Sequence, residues 1–327
     1  MAALLHITNG DSVIFGFREA GLEGDYLSWL DLLYEGPVPP VSFDELSSIR
    51  SRHIADLAWA TYETAKAQFA ARDQKLKSFR SYKEVVLWFE HDLTDQLQLI
   101  QLLDWFAGQD LGDTRLSLIN INAYPGVVPF YGLGMLNGQQ LLKLLPDRKT
   151  VTPQQFSSGR AAWKMFCAAE PSLLLALIKA DLPGLPFLKS AVLRFLEEYP
   201  SAHNGLSRTE QQILLAVADG KKERGEMFLA TQERESTPFM GDSSTYLRLD
   251  RLAAGHKPAL EKSAVGTYSI TQFGRGLLAS KADWIRHNGI DLWFGGVHLQ
   301  SDRHGKDSPW RWDREQQTLI AQPKRRS

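Results

Sequence analysis

The stretch 84–107, EVVLWFEHDLTDQLQLIQLLDWFA, changes its hydrophobic pattern partway along. Residues 85–89 form an unbroken apolar run of strand length and strand composition. Acidic residues and one histidine stand at 90–92 and 95. Beyond them, apolar residues recur at helical spacing, at Leu97, Ile100, Leu103 and Phe106. The pattern predicts a strand buried on both faces, a polar junction and an amphipathic helix, which together make one arm of an α/β unit.

The rest of the N-terminal part repeats this alternation of strand and helix patterns. Short apolar segments at 4–8, 25–30 and 116–121 predict strands, and amphipathic segments at 13–20 and 43–80 predict helices. Strands that alternate with helices favour a parallel sheet. We therefore predict a small Rossmann-like α/β domain over residues 1–128.

Three further regions follow this domain. Residues 129–202 are a series of amphipathic helical pieces separated by Pro and Gly. Residues 203–282 show three helices, a two-stranded wing and a final helix, which is the order of a winged helix. Residues 283–327 form a tail rich in aromatic residues and glycine, and we expect this tail to pack back on the body because exposed tryptophans are costly.

Composition and charge narrow the class of protein. The chain of 327 residues carries 37 basic and 38 acidic side chains, so no overall charge directs it to nucleic acid or to an anionic membrane. No apolar run of ~18 residues predicts a membrane span, and the N-terminus lacks a signal-peptide pattern. The single cysteine, Cys167, lies among apolar helix formers, which indicates a buried, inert thiol. We expect a soluble, cytoplasmic protein.

Three motifs carry a resemblance to a known family. They are HITNGDS at 6–12, WLDLLYEGPVP at 29–39 and LWFEHDLTDQLQL at 87–99. Shorter pieces extend the likeness over nearly the whole chain: AAW at 161–163, LPFL at 185–188, GLSRTE at 205–210 and WFGGVHL at 293–299. Together they resemble a bacterial family known as domain of unknown function 1835. The resemblance implies an α/β N-terminal domain with a helical C-terminal part, and it implies no reaction.

Polar side chains follow each predicted strand of the N-terminal domain. The carboxyl ends of parallel strands share one edge of a sheet, so we expect these side chains to converge there. As metal ligands we predict Asp11, Asp92 and Asp95, and as catalytic residues Glu90, His91 and Asp92. As substrate-binding residues we predict Asn9, Asp11, Ser12, Glu35, Gln96 and Asn122.

The residue types in this set point to a particular chemistry. Carboxylates with one imidazole suit a hard divalent cation such as Mg²⁺ or Mn²⁺, with His91 as ligand or general base. Metal-assisted hydrolysis or transfer at a phosphate ester, on a small phosphorylated molecule or nucleotide, fits best. Neither a G-x-G-x-x-G motif nor a P-loop follows the first strand, so we expect no nicotinamide or flavin.

The same residues have a purely structural interpretation. Asp11, Ser12, Asp92 and Asp95 stand where helix N-caps belong, and a cap stabilises a helix by about 1 kcal/mol. His91 could simply hydrogen-bond a neighbouring loop. Both interpretations, a ligand site and a set of caps, stay open at the level of the sequence.

The winged-helix pattern supports an alternative without catalysis, a regulator that binds DNA or a partner protein. A recognition helix over 243–254 would direct Tyr246, Arg248 and Arg251 to a groove of DNA. Residues 205–281 carry eleven Lys/Arg against nine Asp/Glu, a net charge of only +2. This weak basic character favours packing or protein interaction over DNA binding. Oligomeric state is open.

Overall fold

The structure is a computed structural model that describes residues 2–302 and 310–321, with only the backbone described for residues 2 and 3. The remainder of the predicted tail, 303–309 and 322–327, lies outside the described residues. The N-terminal strands are β1 (Ala2–Thr8), β2 (Asp25–Ser28), β3 (Gly36–Pro37), β4 (Tyr82–Glu90), β5 (Arg115–Ile121) and β6 (Lys149–Thr150). The helices between them are α1 (Asp11–Glu19), α2 (Phe43–Asp56), α3 (Tyr62–Lys77), α4 (Leu93–Ala107) and α5 (Gly138–Leu144).

The central sheet has five strands in the order β2-β1-β4-β5-β6. β1 pairs parallel with β2 and with β4, β4 pairs parallel with β5, and β6 closes one edge in antiparallel orientation. The predicted α/β class is therefore confirmed as a mixed fold with a mostly parallel sheet. Because β4 lies in the centre, its residues 85–89 are buried, as the continuous apolar run requires.

One predicted helix is in fact two. We predicted a single helix over 43–80, but α2 ends at Asp56 and α3 begins at Tyr62. Ala58 has a positive φ of 56°, which breaks the helical path. The hydroxyl of Thr61 then accepts a hydrogen bond from the Thr64 N–H and caps α3. The positive φ of Ala58 and the cap at Thr61 therefore separate the two helices, although the amphipathic pattern continues from one to the other.

A helical layer covers one face of the sheet. Its helices are α6 (Pro153–Phe166), α7 (Ser172–Lys179) and α8 (Leu188–Leu196). α6 and α8 pack against α4, and 12 of the 15 residues of α4 are buried. Close packing on nearly all sides holds a helix rigidly in position. The start of α4, which carries the polar junction, is therefore held firmly against the end of β4.

The C-terminal half has a second hydrophobic core. It contains α9 (Arg208–Ala218), α10 (Arg224–Glu233), α11 (Asp242–Ala254), the antiparallel pair β7 (Leu260–Lys262) and β8 (Tyr268–Ile270), and α12 (Gln272–Leu278). The predicted capping box is present: the Ser207 hydroxyl accepts from Glu210 N, and the Glu210 carboxylate accepts from Ser207 N at 2.8 Å.

The tail is bound to the rest of the chain through strands. It comprises α13 (Trp284–Asn288), β9 (Ile290–Gly295), β10 (Val297–Ser301), β11 (Trp310–Asp313) and β12 (Thr318–Ala321). β9 pairs antiparallel with β10 and parallel with β3 of the N-terminal part. Phe294 and Trp312 are buried in the main core. Among the described residues, no helix is both long and apolar enough to cross a membrane.

Candidate metal centre at the end of strand β4

Glu90, Asp92 and Asp95 meet where β4 gives way to α4. Glu90 is the last residue of β4, Asp92 is the N-cap of α4, and Asp95 lies in the first turn of that helix. The Asp92 carboxylate accepts from Asp95 N at 2.8 Å, as an N-cap should. Since only two residues separate strand from helix, the junction brings all three carboxylates to one place. We call them the acidic triad.

The acidic triad is held by hydrogen bonds from several parts of the chain. Each residue offers an oxygen, and these oxygens lie within 4.8 Å of one another. Asp95 accepts from Glu90 N at 2.9 Å and from the Asn9 amide at 2.5 Å. Glu90 Oε2 accepts from Leu133 N. Among the described residues, the acidic triad is the group of three or more Asp, Glu, His or Cys that could hold a metal ion.

Burial perturbs all three carboxyl groups. Burial, followed by the charges of Asp95 and Asp92, raises the pKa of Glu90 well above its ordinary value. Burial and the charge of Asp95 do the same for the pKa of Asp92. Burial raises the pKa of Asp95 to about 7, although the Glu90 N–H and the Asn9 amide oppose this shift. Three negative charges are therefore unfavourable here without a proton or a cation between them.

A cavity of about 200 Å³ lies beside the acidic triad. Glu90 and Asp95 line it, together with Asn9 and Ser12 from the end of β1 and the start of α1. The segment 131–135 forms its other wall. A Cβ at Gly132 would overlap the Glu90 carboxylate, so glycine lets this segment close over the acidic triad. No Lys, Arg or His occurs among the described residues that line the cavity.

The predicted substrate-binding residues divide into two groups. Asn9 and Ser12 line the cavity, and Gln96 donates to the Glu90 carbonyl oxygen at 2.6 Å, so these three lie at the site. Asn122 lies just past the end of β5 and is exposed. The structure shows no contact between Asn122 and the acidic triad.

Asp11 and Glu35 lie apart from the acidic triad, and their predicted placement is corrected here. Asp11 is exposed at the start of α1, where it accepts from the Ser28 hydroxyl of β2. β2 is the edge strand, separated from β4 by β1, so this hydrogen bond holds Asp11 away from the triad. Glu35 forms an ion pair with Arg248 of α11 instead. The group that could hold a metal ion thus contains Glu90 in place of the predicted Asp11.

His91 points elsewhere, although it stands between two members of the acidic triad in the sequence. Its ring packs against Phe130 and Phe187, each with a centroid distance of 6.1 Å. Burial lowers its pKa. It lines a separate cavity of about 340 Å³ beside α8. The structure therefore does not support the predicted role of His91 as ligand or general base at the triad.

Gln98 is a site residue that the sequence analysis missed. Its amide donates to Asn9 Oδ1 at 3.2 Å and to the Asp31 carbonyl oxygen at 2.9 Å, and it is fully buried. Asn9 in turn donates to Asp95, so Gln98 fixes the orientation of the Asn9 amide. Polar residues on the buried face of an apolar helix were the available signal, because such residues need partners.

The residues of the DNA-binding alternative are engaged by acidic side chains. Arg248 pairs with Glu35 and, at 3.1 Å, with Glu198. Burial alone would lower the pKa of Arg248, but these two carboxylates raise it. Arg251 donates to Glu210 at 2.8 Å. The guanidinium of Arg224 lies over the Tyr246 ring, 5.3 Å from its centroid.

Arg248 is mostly buried, so the expected placement of this arginine in a DNA groove is corrected. Its guanidinium instead joins α11 to the N-terminal part of the chain. Comparisons with known proteins add no assignment: no family model matches the chain, and no curated protein matches it significantly.

Proposed function

We propose that the chain is an enzyme that uses a divalent metal ion, held by the acidic triad, for hydrolysis or transfer at a phosphate ester. The observation that carries this proposal is the meeting of three buried carboxylates beside a cavity at the carboxyl edge of a parallel sheet. That edge is where α/β folds of the Rossmann-like type bind their ligands.

The donor set fits Mg²⁺ or Mn²⁺. Both ions prefer oxygen ligands, and the acidic triad supplies carboxylate oxygens. Burial and mutual repulsion raise the pKa values of Glu90 and Asp92, and a cation would offset both by balancing the negative charges. Glu90, Asp92 and Asp95 would hold the ion, and Asn9 would keep the Asp95 carboxylate in position. When bound, such an ion acts as a Lewis acid on a phosphoryl oxygen.

A phosphate group is the favoured substrate because of what else surrounds the cavity. The N-cap of α1 is Gly10, which leaves the first N–H groups of the helix without a side-chain cap. Gly10 and Ser12 line the cavity, so these N–H groups and the Ser12 hydroxyl can donate to an anion. The lining has no basic residue among those described, so an anionic substrate needs the metal to balance the carboxylates.

Calorimetric titration with Mn²⁺ and Mg²⁺ tests the metal site directly. We expect saturable binding that releases protons at pH 7, because carboxyls with raised pKa values must lose them. Glu90→Gln should abolish binding, whereas Asp113→Asn, an exposed carboxylate of the same domain, should leave it unchanged. Hydrolysis of p-nitrophenyl phosphate and a nucleotide panel then tests the reaction. Absence of metal binding in the wild-type protein would refute the proposal.

A regulator remains a second proposal, carried by the order α9-α10-α11-β7-β8-α12, which matches that of a winged helix. Since carboxylates hold Arg248 and Arg251, a partner protein suits this module better than DNA. Fluorescence anisotropy with mixed-sequence DNA at low salt distinguishes a regulator that binds DNA from one that binds a partner protein. Salt-dependent binding would support the DNA form, and no binding at low salt would eliminate it.

A further inference from the structure

Exposed apolar side chains surround the mouth of the cavity beside the acidic triad. Tyr131 and Met135 line that cavity and are 43 and 46 % exposed. Leu30 is 59 % exposed and lies beside Gly10, which lines the cavity from the end of β1. We call Tyr131, Met135 and Leu30 the apolar rim. Single exposed apolar residues are ordinary, but several around one cavity indicate a surface that a ligand covers.

The segment that carries Tyr131 and Met135 is fixed at both of its faces. Phe130 and Leu133 are buried in a hydrophobic cluster, and the Leu133 N–H donates to Glu90 of the acidic triad. Met135 Sδ accepts a hydrogen bond from the Tyr131 N–H at 3.1 Å. A tyrosine ring on a fixed backbone loses little conformational entropy when a ligand packs on it. Tyr131 is therefore held in a constant position relative to the acidic triad.

The ring of Tyr131 is available to a ligand. Among the residues that the structure describes, no aromatic ring and no cationic side chain packs on it. The neighbouring Phe130, by contrast, is buried against the His91 ring. The segment thus buries one aromatic residue in the protein and presents the next one at the cavity mouth.

The size of the cavity indicates how much of a substrate lies at the apolar rim. The cavity of about 200 Å³ is smaller than the pockets of about 300 Å³ or more that enclose whole organic ligands. A phosphate group bound at the acidic triad therefore fills the cavity together with the atoms next to it. The rest of the substrate extends past the mouth, where it meets Tyr131, Met135 and Leu30.

We propose that the substrate is a nucleoside monophosphate whose base stacks on the Tyr131 ring, with Met135 and Leu30 beside it. This inference rests on the proposed function, which supplies the metal ion and the phosphate. Bases have flat faces, and stacking on aromatic side chains is a general way in which proteins bind them. A sugar phosphate without a base would leave the apolar rim in water.

The charge of the cavity favours a single phosphate group. Among the described residues that line it, none is Lys, Arg or His. The charges of a diphosphate or triphosphate would therefore meet the carboxylates of the acidic triad with only the metal ion to balance them.

Calorimetric titration of the full chain in saturating Mn²⁺ tests the proposal with two phosphonates. One is the analogue of adenosine 5′-monophosphate and the other is the analogue of ribose 5-phosphate. In both, a CH₂ group replaces the bridging oxygen, so neither is hydrolysed during the titration. We expect the adenosine analogue to bind about tenfold more tightly, which is the effect of stacking one base on an aromatic side chain.

Variants of Tyr131 locate the base. Tyr131→Ala should weaken binding of the adenosine analogue about tenfold and leave the affinities for the ribose analogue and for Mn²⁺ unchanged. The two unchanged affinities show that the variant is folded. Tyr131→Phe keeps the ring and should bind both phosphonates as the wild type does. Leu229→Ala shortens a side chain that is 60 % exposed on α10 and should also behave as the wild type.

Several results would overturn the inference. Equal affinity for the two phosphonates, or wild-type affinity for the adenosine analogue in Tyr131→Ala, would eliminate the base site and leave the metal centre standing. Absence of binding by both phosphonates would refute the proposed function, and this inference with it. In sedimentation velocity, self-association that Tyr131→Ala abolishes would show that a second copy of the chain covers the apolar rim, and would likewise overturn the proposal.

Discussion

Neutralising Asp95 should change how the stability of the protein depends on pH. In the folded protein burial raises the pKa of Asp95 to about 7, above its ordinary value of 3.8. Between pH 4 and pH 7, Asp95 therefore keeps its proton in the folded protein and has lost it in the unfolded chain. The contribution of Asp95 to the free energy of unfolding is fully present below about pH 4 and is lost as the pH rises through 7. Asp95→Asn removes the titrating group and keeps the shape of the side chain.

The size of the effect follows from the pKa of Asp95. From pH 5 to about pH 7, Asp95 is protonated in the folded protein but ionised in the unfolded chain. Over these two pH units the free energy of unfolding falls by about 1.4 kcal/mol per unit. The wild type should therefore lose on the order of 3 kcal/mol more stability over this interval than Asp95→Asn. The hydrogen bond from Asn9 favours the ionised carboxylate, and its effect is already contained in the pKa of Asp95 in the wild type.

Urea unfolding of both proteins at pH 5 and pH 8 in EDTA measures this difference. Asp113→Asn, at an exposed position, should follow the wild type. At pH 8, saturating Mn²⁺ should stabilise the wild type and leave Asp95→Asn unchanged, because a ligand that binds only the folded state stabilises it. Parallel pH dependence in the wild type and Asp95→Asn would refute the reasoning that burial sets the pKa of this carboxyl.

Two further predictions concern residues on either side of this centre. Burial alone would raise the pKa of Glu84, but hydrogen bonds from Arg148, Arg115 and a serine lower it to about 2. Glu84→Gln should therefore cost about 3 kcal/mol at pH 7. It should also reduce by about that amount the loss of stability between pH 4.5 and 2, to which Glu198 contributes as well, and urea unfolding measures both effects. Gly132→Ala should displace the segment 131–135 from Glu90 and weaken Mn²⁺ binding, measured by calorimetry. Gly126→Ala also places an alanine at positive φ, but its added Cβ meets nothing within 4 Å, so it controls for backbone strain without the overlap at Glu90.

The sequence predicts the central part of the candidate site because that part is local. A strand, a cap and a helix start lie within six residues, so the pattern at 90–95 indicates both the junction and the carboxylates that meet there. The misplacement of Asp11 has a physical reason. Asp11 follows β1, which lies between β2 and β4, and its side chain turns to Ser28 of β2 while Asn9 and Ser12 line the cavity. The sequence pattern shows where a strand ends but does not give the direction of each side chain that follows it.

Contacts between distant segments are the part that the sequence does not predict. The pairing of Glu35 with Arg248 joins residues 213 positions apart, and either side chain alone resembles an ordinary exposed charge. The N–H of Leu133 binds Glu90 from a loop without hydrophobic periodicity. For His91, closeness in the sequence predicts a shared site that the structure does not show. Its position between Glu90 and Asp92 suggests a shared site, but successive residues after a strand point in different directions, and its ring lines another cavity.

The cap and the ligand site are not competing interpretations of the acidic triad. Asp92 caps α4 through its hydrogen bond to Asp95 N, and one carboxylate is sufficient for that purpose. Capping does not account for Glu90, whose charge beside Asp92 and Asp95 raises the free energy of the folded state near neutral pH. A fold that needed only a helix start would be more stable with a neutral residue there. The repulsion disappears when a cation binds between the carboxylates, so the structural cost of Glu90 is itself an argument for a metal ion.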